Sequence, residues 1–142
     1  VAAFTKVAAT RARFVSRADA SGTHRKEMAL WQEAGVQPAG GWYIAAGVGM
    51  AATLRIADER AAYVLSDEAT YAAQKRRVDL VVVSGGDPRL ANIYALVPVD
   101  PARVAGVDTA AAEAFVRWVT SGAGRALIAG YRIGGEAVFR VR

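Results

Sequence analysis

Cysteine is absent from this 142-residue chain, histidine occurs once, and no apolar run approaches the roughly 20 residues that span a membrane. Each absence removes a class of function. Without cysteine there is no disulfide framework, no thiolate nucleophile and no thiolate metal site, a composition that fits an extracytoplasmic protein. The single His24 has no credible Ser and Asp pairing by sequence, so neither a catalytic triad nor a cluster at metal-ligand spacing is expected. The glycines do not form a phosphate-binding loop with its Lys-Ser/Thr ending. The sequence therefore predicts no enzyme, no cofactor and no metal. Net charge is +5, from 18 basic and 13 acidic residues, and the basic ones are scattered. Lys75-Arg76-Arg77 is the only tight cluster, and it reads as a solvated helix end, where cations suit the dipole. A nucleic-acid partner is not expected from that distribution, although a basic surface draws small anions.

What is present is enough apolar material for one core: 54% of the residues are hydrophobic. The pattern alternates. A helical tail over 1–10 leads to a strand at 13–16 and a helix at 21–34, closed by Gly35 and Pro38. That helix carries Met28, Trp31 and Ala34 at helical spacing. A short strand is expected at Trp42-Tyr43-Ile44. Gly47-Val48-Gly49 opens a helix whose buried stripe is Met50, Leu54, Ala57 and Ala61. A strand at 62–65 precedes a helix that Ser66 or Asp67 caps and that runs to Arg77. Leu80 to Val83 reads as a buried strand, Gly85-Gly86-Asp87-Pro88 as a turn, and Ile93 to Val99 as a further strand. Helix 109–120 is expected to bury Ala112, Phe115, Val116 and Val119. Helix 123–130 presents Gly124, Leu127, Ile128 and Tyr131, and Ala137 to Val141 reads as a last strand. Strands alternating with helices predict an α/β sheet.

The chemistry concentrates in Ser16 to His24, Ser-Arg-Ala-Asp-Ala-Ser-Gly-Thr-His. The short apolar strand before it and the helix after it make this turn a helix N-terminus, where backbone N–H groups lack partners and the dipole is positive. Ser21 and Thr23 add hydroxyl donors, Gly22 lets a ligand approach the backbone, and Arg17 brings a fixed positive charge. Together they suit a small oxyanion. An ordinary N-cap by Asp19 or Ser21 accounts for one of these residues, but not for the arginine, glycine and threonine together. Gly49 and Met50 open a second helix, and Ser66-Asp67-Glu68 a third. If they point at the same cleft, the former adds N–H donors. The latter also reads as an acidic first turn that suits the dipole. His24 falls in the first helical turn, and would strengthen anion binding at acidic pH if it faces the cleft.

Arg17-Ala18-Asp19-Ala20-Ser21-Gly22-Thr23 resembles the oxyanion-binding turn of the solute-binding proteins that feed ABC importers, the phosphate-binding proteins among them. The resemblance to the tungstate-binding family runs further. It continues through Thr23-His24-Arg25-Lys26-Glu27, Leu30-Trp31, Gly35, Trp42-Tyr43-Ile44, Gly47-Val48-Gly49-Met50 and Thr53-Leu54. It goes on through Ala62-Tyr63-Val64-Leu65-Ser66-Asp67, Thr70-Tyr71, Gly86-Asp87, Asn92-Ile93-Tyr94, Ala114-Phe115-Val116-Arg117-Trp118 and Ser121-Gly122-Ala123-Gly124. The chain departs from that family at Ala18, where glycine is usual, at Ala46, often acidic there, and at Glu68, where the family has arginine. It also lacks the family's N-terminal half, with the Thr/Ser-rich turn of the opposite cleft wall.

The resemblance implies a type II periplasmic-binding-protein architecture, in which two α/β lobes flank a cleft. Residues 1–10 would be the tail of a helix from the preceding lobe, 11–90 the second lobe with its oxyanion turn, and 91–142 the return crossing and the C-terminal helices of the first lobe. Val1 to Ala8 reads as the later turns of a helix without a capping start. The chain is thus expected to be part of a longer protein, and the absence of a signal peptide carries no information. The implied function is an extracytoplasmic receptor that delivers tungstate or molybdate to an ABC permease. The ligand residues carried over are Arg17, Asp19, Ser21, Gly22, Thr23, Gly49, Met50 and Asp67. Two alternatives stand beside it: a cytoplasmic oxyanion-sensing effector domain of a regulator, and a phosphate- or sulfate-binding protein. Phosphate retains a proton near neutrality and wants an acceptor, whereas tungstate, molybdate and sulfate want donors alone. Asp19 is either that acceptor or a brace for Arg17.

Overall fold

The computed structural model describes residues 1–141. The chain divides into two compact units, Val1–Ala91 and the part from Asn92 onward.

In the first unit, helix α1 (Ala2–Thr10) leads through a left-handed Arg11 (φ 49°) into strand β1 (Phe14–Ser16). Helix α2 (Gly22–Glu33) follows, then β2 (Tyr43–Ala45), α3 (Met50–Glu59), β3 (Tyr63–Val64) and α4 (Glu68–Gln74). Ser21 caps α2 by accepting the His24 N–H at 3.3 Å. Gly35, at φ 67°, ends it: its N–H reaches Gln32 O and the Val36 N–H reaches Trp31 O, satisfying carbonyls that the last turn leaves open. The three strands form a parallel sheet in the order β2-β1-β3, with Phe14 opposite Tyr43 and Tyr63. Successive strand residues point to opposite faces. Phe14 accordingly joins Val7 and Trp31 on the α1/α2 side, while Val15 joins Ala57 and Ala62 on the α3 side. This is the α/β architecture that the alternation predicts, with β1 buried along its whole length.

Within these elements several expectations shift. Met50, Leu54 and Ala57 are buried as expected, but Ala61 lies beyond α3 at φ 46° and is exposed. On α2 the core face is Glu27, Leu30 and Trp31, and Met28 faces out. Leu80 to Val83 is not a strand. Leu80 packs on the second cluster, but Val81, Val82 and Val83 are 74, 68 and 69% exposed. A β-branched run has the propensity for a strand, but pairing needs a neighbouring ladder, and among the described residues none meets it.

In the second unit, residues 93–99, expected as a strand, form no regular element and are exposed for the same reason. Asp108 caps α5 (Thr109–Thr120) through the Ala111 N–H at 2.9 Å. Ser121 ends α5 and caps α6 (Gly122–Gly130) through the Gly124 N–H at 3.3 Å. None of the residues expected to be buried on α5 is: Ala112, Val116 and Val119 are half-buried and Phe115 is exposed. On α6 only Gly124 is buried, while Leu127 and Tyr131 are open to solvent. The expected last strand shrinks to β5 (Glu136–Ala137). It pairs antiparallel with β4 (Arg132–Ile133) across Gly134-Gly135, both at positive φ as a two-residue hairpin turn requires.

Candidate anion-binding turn

The carboxyl ends of the three parallel strands carry the turns 17–21, 46–49 and 65–67, each opening a helix. That edge is where open α/β sheets take ligands. The turn after β1 is the most elaborated. Ala18 and Ala20 adopt left-handed conformations, φ 48° and 58°, and the bend includes the N–H groups of Ala18, Ala20 and Ser21. The positive φ at Ala18 falls where the resembled family uses glycine. Each of these N–H groups has a side-chain partner. The Ala18 N–H donates to Ser16 Oγ at 3.2 Å, the Ala20 N–H to His24 Nδ1 at 3.0 Å and the Ser21 N–H to Asp19 Oδ1 at 3.2 Å. In the first turn of α2 the N–H groups of Gly22 and Thr23 also have no partner among the described residues.

Arg17 and Asp19 form an ion pair, Nη2 to Oδ2 at 2.5 Å. Both Asp19 oxygens are therefore engaged inside the turn. The Ser21 hydroxyl, followed by the Ser21 N–H and Arg17, holds the Asp19 carboxyl down at about 2, so it is ionised throughout the neutral range. Asp19 is thus bonded to Arg17 and to the Ser21 N–H. Arg17 Nε, by contrast, is buried with no hydrogen-bond partner. A guanidinium donor shut away from water and unpaired is costly. It is the group in the turn with most to gain from an anion.

The other candidates are placed as follows. Gly49 is the N-cap of α3 and offers backbone only; Met50 follows it, and its side chain is buried in the core. Asp67 caps α4, accepting from the Thr70 N–H at 2.7 Å and the Thr70 hydroxyl at 2.8 Å, so its oxygens are also occupied locally. Glu68 opens α4 and is exposed. The sheet brings the turns containing these residues to the same edge as Arg17 and Ser21. Among the described residues no group of His, Asp and Glu side chains converges as a metal site would. A groove along α2, lined by Ala20, His24, Met28, Trp31 and Pro38, starts beside the turn and is largely apolar.

Sequence reasoning did not find what lies beneath the turn. Glu27, buried with Ser16 and Trp31, accepts at Oε1 from the half-buried Tyr43 Oη at 2.8 Å and from Trp31 Nε1 at 3.2 Å. The signal was available: Glu27 and Trp31 are four apart and so share a helix face, and Trp31 is an expected core residue.

Residues 1–123 match the PBP superfamily domain. The chain is 39% identical over 131 residues to the tungstate-binding protein TupA of Peptoclostridium acidaminophilum, covering 92% of this chain and 46% of that protein. It is 41% identical over 142 residues to a putative ABC transporter anion-binding protein of Haloferax volcanii, covering 96% and 42%. The solved structure of the tungstate-binding protein TupA from Desulfovibrio alaskensis superimposes with a TM-score of 0.77 at 35% identity, over 96% of this chain and 57% of that one. The chain thus spans less than half the length of these two curated relatives. Its parallel sheet, its helix-opening turns and this match together show that the chain belongs to the PBP superfamily.

Proposed function

We propose that this chain is the anion-holding portion of a solute-binding protein that captures a fully deprotonated tetrahedral oxyanion, tungstate or molybdate, for an ABC permease. The observation that carries this reading is the bonding of Asp19. With both its oxygens used inside the turn, the groups left open include several donors: Arg17 Nε, the N–H groups of Gly22 and Thr23, and the Thr23 hydroxyl. A donor-only site suits an anion with no proton to share and disfavours hydrogenphosphate, which needs an acceptor. Relatives named for tungstate binding support the same ligand class. In this reading residues 11–90 form the lobe bearing the turn. Residues 91–142 return to the other lobe, and α5 and α6 pack there. Gly49, Met50 and Asp67 contribute from the neighbouring turns, the first two through the backbone. The protein acts by binding and release, without turnover, outside the cytoplasm.

Calorimetric titration of the full-length protein tests the site. A hydrogen bond to a charged group contributes about 1.5–3 kcal/mol, so Arg17→Ala should weaken tungstate binding at least ~10-fold. Arg17→Lys should recover only part, because the planar fork is lost. Unchanged affinity in Arg17→Ala would remove the turn from the binding site. In thermal melts at matched ionic strength, tungstate or molybdate should stabilise more than sulfate, and phosphate least. The largest shift with phosphate would make Asp19 an acceptor and redirect the reading to a phosphate-binding protein.

A further inference from the structure

Glu27 is the one buried carboxyl beneath the turn, and anion binding as described gives it no role. It lies on α2 about 7 Å along the helix axis from the open N–H groups of Gly22 and Thr23, and it is 1% exposed. Its hydrogen-bond donors are neutral, Tyr43 Oη and Trp31 Nε1, and among the described residues no lysine or arginine pairs with it. The Ser16 hydroxyl reaches the same carboxyl and also accepts the Ala18 N–H. Ser16, buried like Glu27 and helping to hold its carboxyl down, also anchors the left-handed Ala18 of the turn.

A buried carboxylate without a cation is unfavourable, and burial raises the Glu27 carboxyl above its ordinary range. Tyr43, Ser16, Trp31 and His24 oppose that shift. The surrounding titratable groups do not supply a counter-charge by contact. His24, on the same helix, holds the Ala20 N–H through Nδ1. Tyr43, from β2, is itself pushed up to about 12. Arg17 and Asp19, after β1, are paired with each other. Lys6, on α1, points to solvent.

We propose that filling the anion site is coupled to proton uptake by Glu27, which then supports the turn as a neutral acid. This inference rests on the turn being the oxyanion site. A second negative charge brought to the N-terminus of α2 disfavours the ionised carboxyl at this separation in a poorly solvated interior. Anion binding therefore raises the proton affinity of Glu27, and by linkage the proton strengthens anion binding. The sign follows: affinity falls as pH rises.

The test is tungstate titration of the full-length protein by calorimetry from about pH 5.5 to about pH 8.5, in buffers of different ionisation enthalpy. The expected result for the unaltered protein is an affinity that drops by up to about tenfold per pH unit, with up to about one proton taken up per tungstate. Glu27→Gln keeps the shape and an acceptor oxygen but cannot titrate, so its affinity should be flat with pH and its proton uptake nil. His24→Gln should keep the slope. A flat profile in the unaltered protein overturns the coupling whether or not Glu27→Gln folds. So does a slope that persists in Glu27→Gln or vanishes in His24→Gln. Absence of tungstate binding at every pH would instead overturn the anion site itself.

Discussion

The two units of this chain treat their aromatic residues in opposite ways. In Val1–Ala91, Trp31 meets Phe4 at 4.5 Å, Phe14 at 5.1 Å and Trp42 at 5.6 Å between ring centroids, and it is completely buried. In the unit from Asn92 onward, Phe115 and Trp118 stack at 6.2 Å, yet 55 and 49% of their surfaces stay open. Trp31 and the Phe115–Trp118 pair all lie on helices with an apolar stripe. The difference is the layer opposite. A parallel sheet gives α1, α2 and α3 two apolar faces to cover, whereas the second unit has a helical hairpin and a pair of two-residue strands. An amphipathic stripe states which face seeks burial, and only a second layer satisfies it.

The largest effect should come from the centre of the first unit. Trp31→Ala removes the ring shared by Phe4, Phe14, Trp42 and Tyr43, and takes a hydrogen bond from Glu27. Core Trp→Ala changes cost about 3–5 kcal/mol. Denaturant unfolding should show a loss of that size. A loss under about 1 kcal/mol would mean that the aromatic cluster is not what distinguishes this unit.

The same contrast marks what could be read in advance. Elements whose partners lie nearby in sequence were legible: the β1–α2–β2–α3–β3 alternation, the glycine that ends α2 and the turn at Ser16–His24. Leu80–Val83 and Ile93–Val99 have strand composition yet form no strand, because β-branched composition records propensity and not the presence of a neighbouring strand. The turn's residues were legible from its motif. Its wiring was not. That His24 accepts the Ala20 N–H, and that Ser16 accepts the Ala18 N–H, depends on left-handed alanines that residue type does not announce.

Two glycines sharpen the comparison from the backbone side. A Cβ on Gly124 would lie 2.3 Å from Trp118 O and 2.6 Å from Val119 O, both backbone atoms that cannot swing away. Gly124→Ala should therefore force the α5–α6 junction apart and cost about 1–3 kcal/mol. Gly22, at the start of α2, has nothing within 4 Å of such a Cβ. Gly22→Ala should leave the melting temperature nearly unchanged, so any loss of tungstate affinity in that variant reports crowding of the ligand. Equal melting temperatures for the two variants would show that the tight junction at Gly124 does not hold the second unit.

A smaller, pH-dependent effect belongs to the first unit. Burial pushes the Tyr43 hydroxyl up to about 12 from 10.0, with Glu27 adding to the shift. The folded state thus holds this proton more tightly than the unfolded chain. The stability it contributes is complete below pH 10 and is lost as pH rises through about 12. Asp19 acts in the opposite sense: its carboxyl, lowered to about 2 from 3.8, contributes stability that disappears as pH falls through that range. Absorbance titration should show one tyrosine ionising near 12, and Tyr43→Phe should remove that step while the acid limb stays in place. An alkaline step that survives in Tyr43→Phe would assign it elsewhere.

The smallest effect should come from the aromatic face of α5. Phe115 is more than half exposed, and no residue of α5 is fully buried. Truncating an exposed side chain removes little transfer free energy, and alanine is the better helix former at a solvated position. Phe115→Ala in this 142-residue chain should accordingly change stability by less than about 0.5 kcal/mol, against several for Trp31→Ala. The two variants measured side by side give the comparison a number. If Phe115→Ala costs about 2 kcal/mol or more, the face is covered in solution, and the two units differ only in where their covering layer comes from. If the cost is negligible in this chain but large in the full-length protein, a layer outside this chain covers the face, as the proposed return of residues 91–142 to the other lobe predicts.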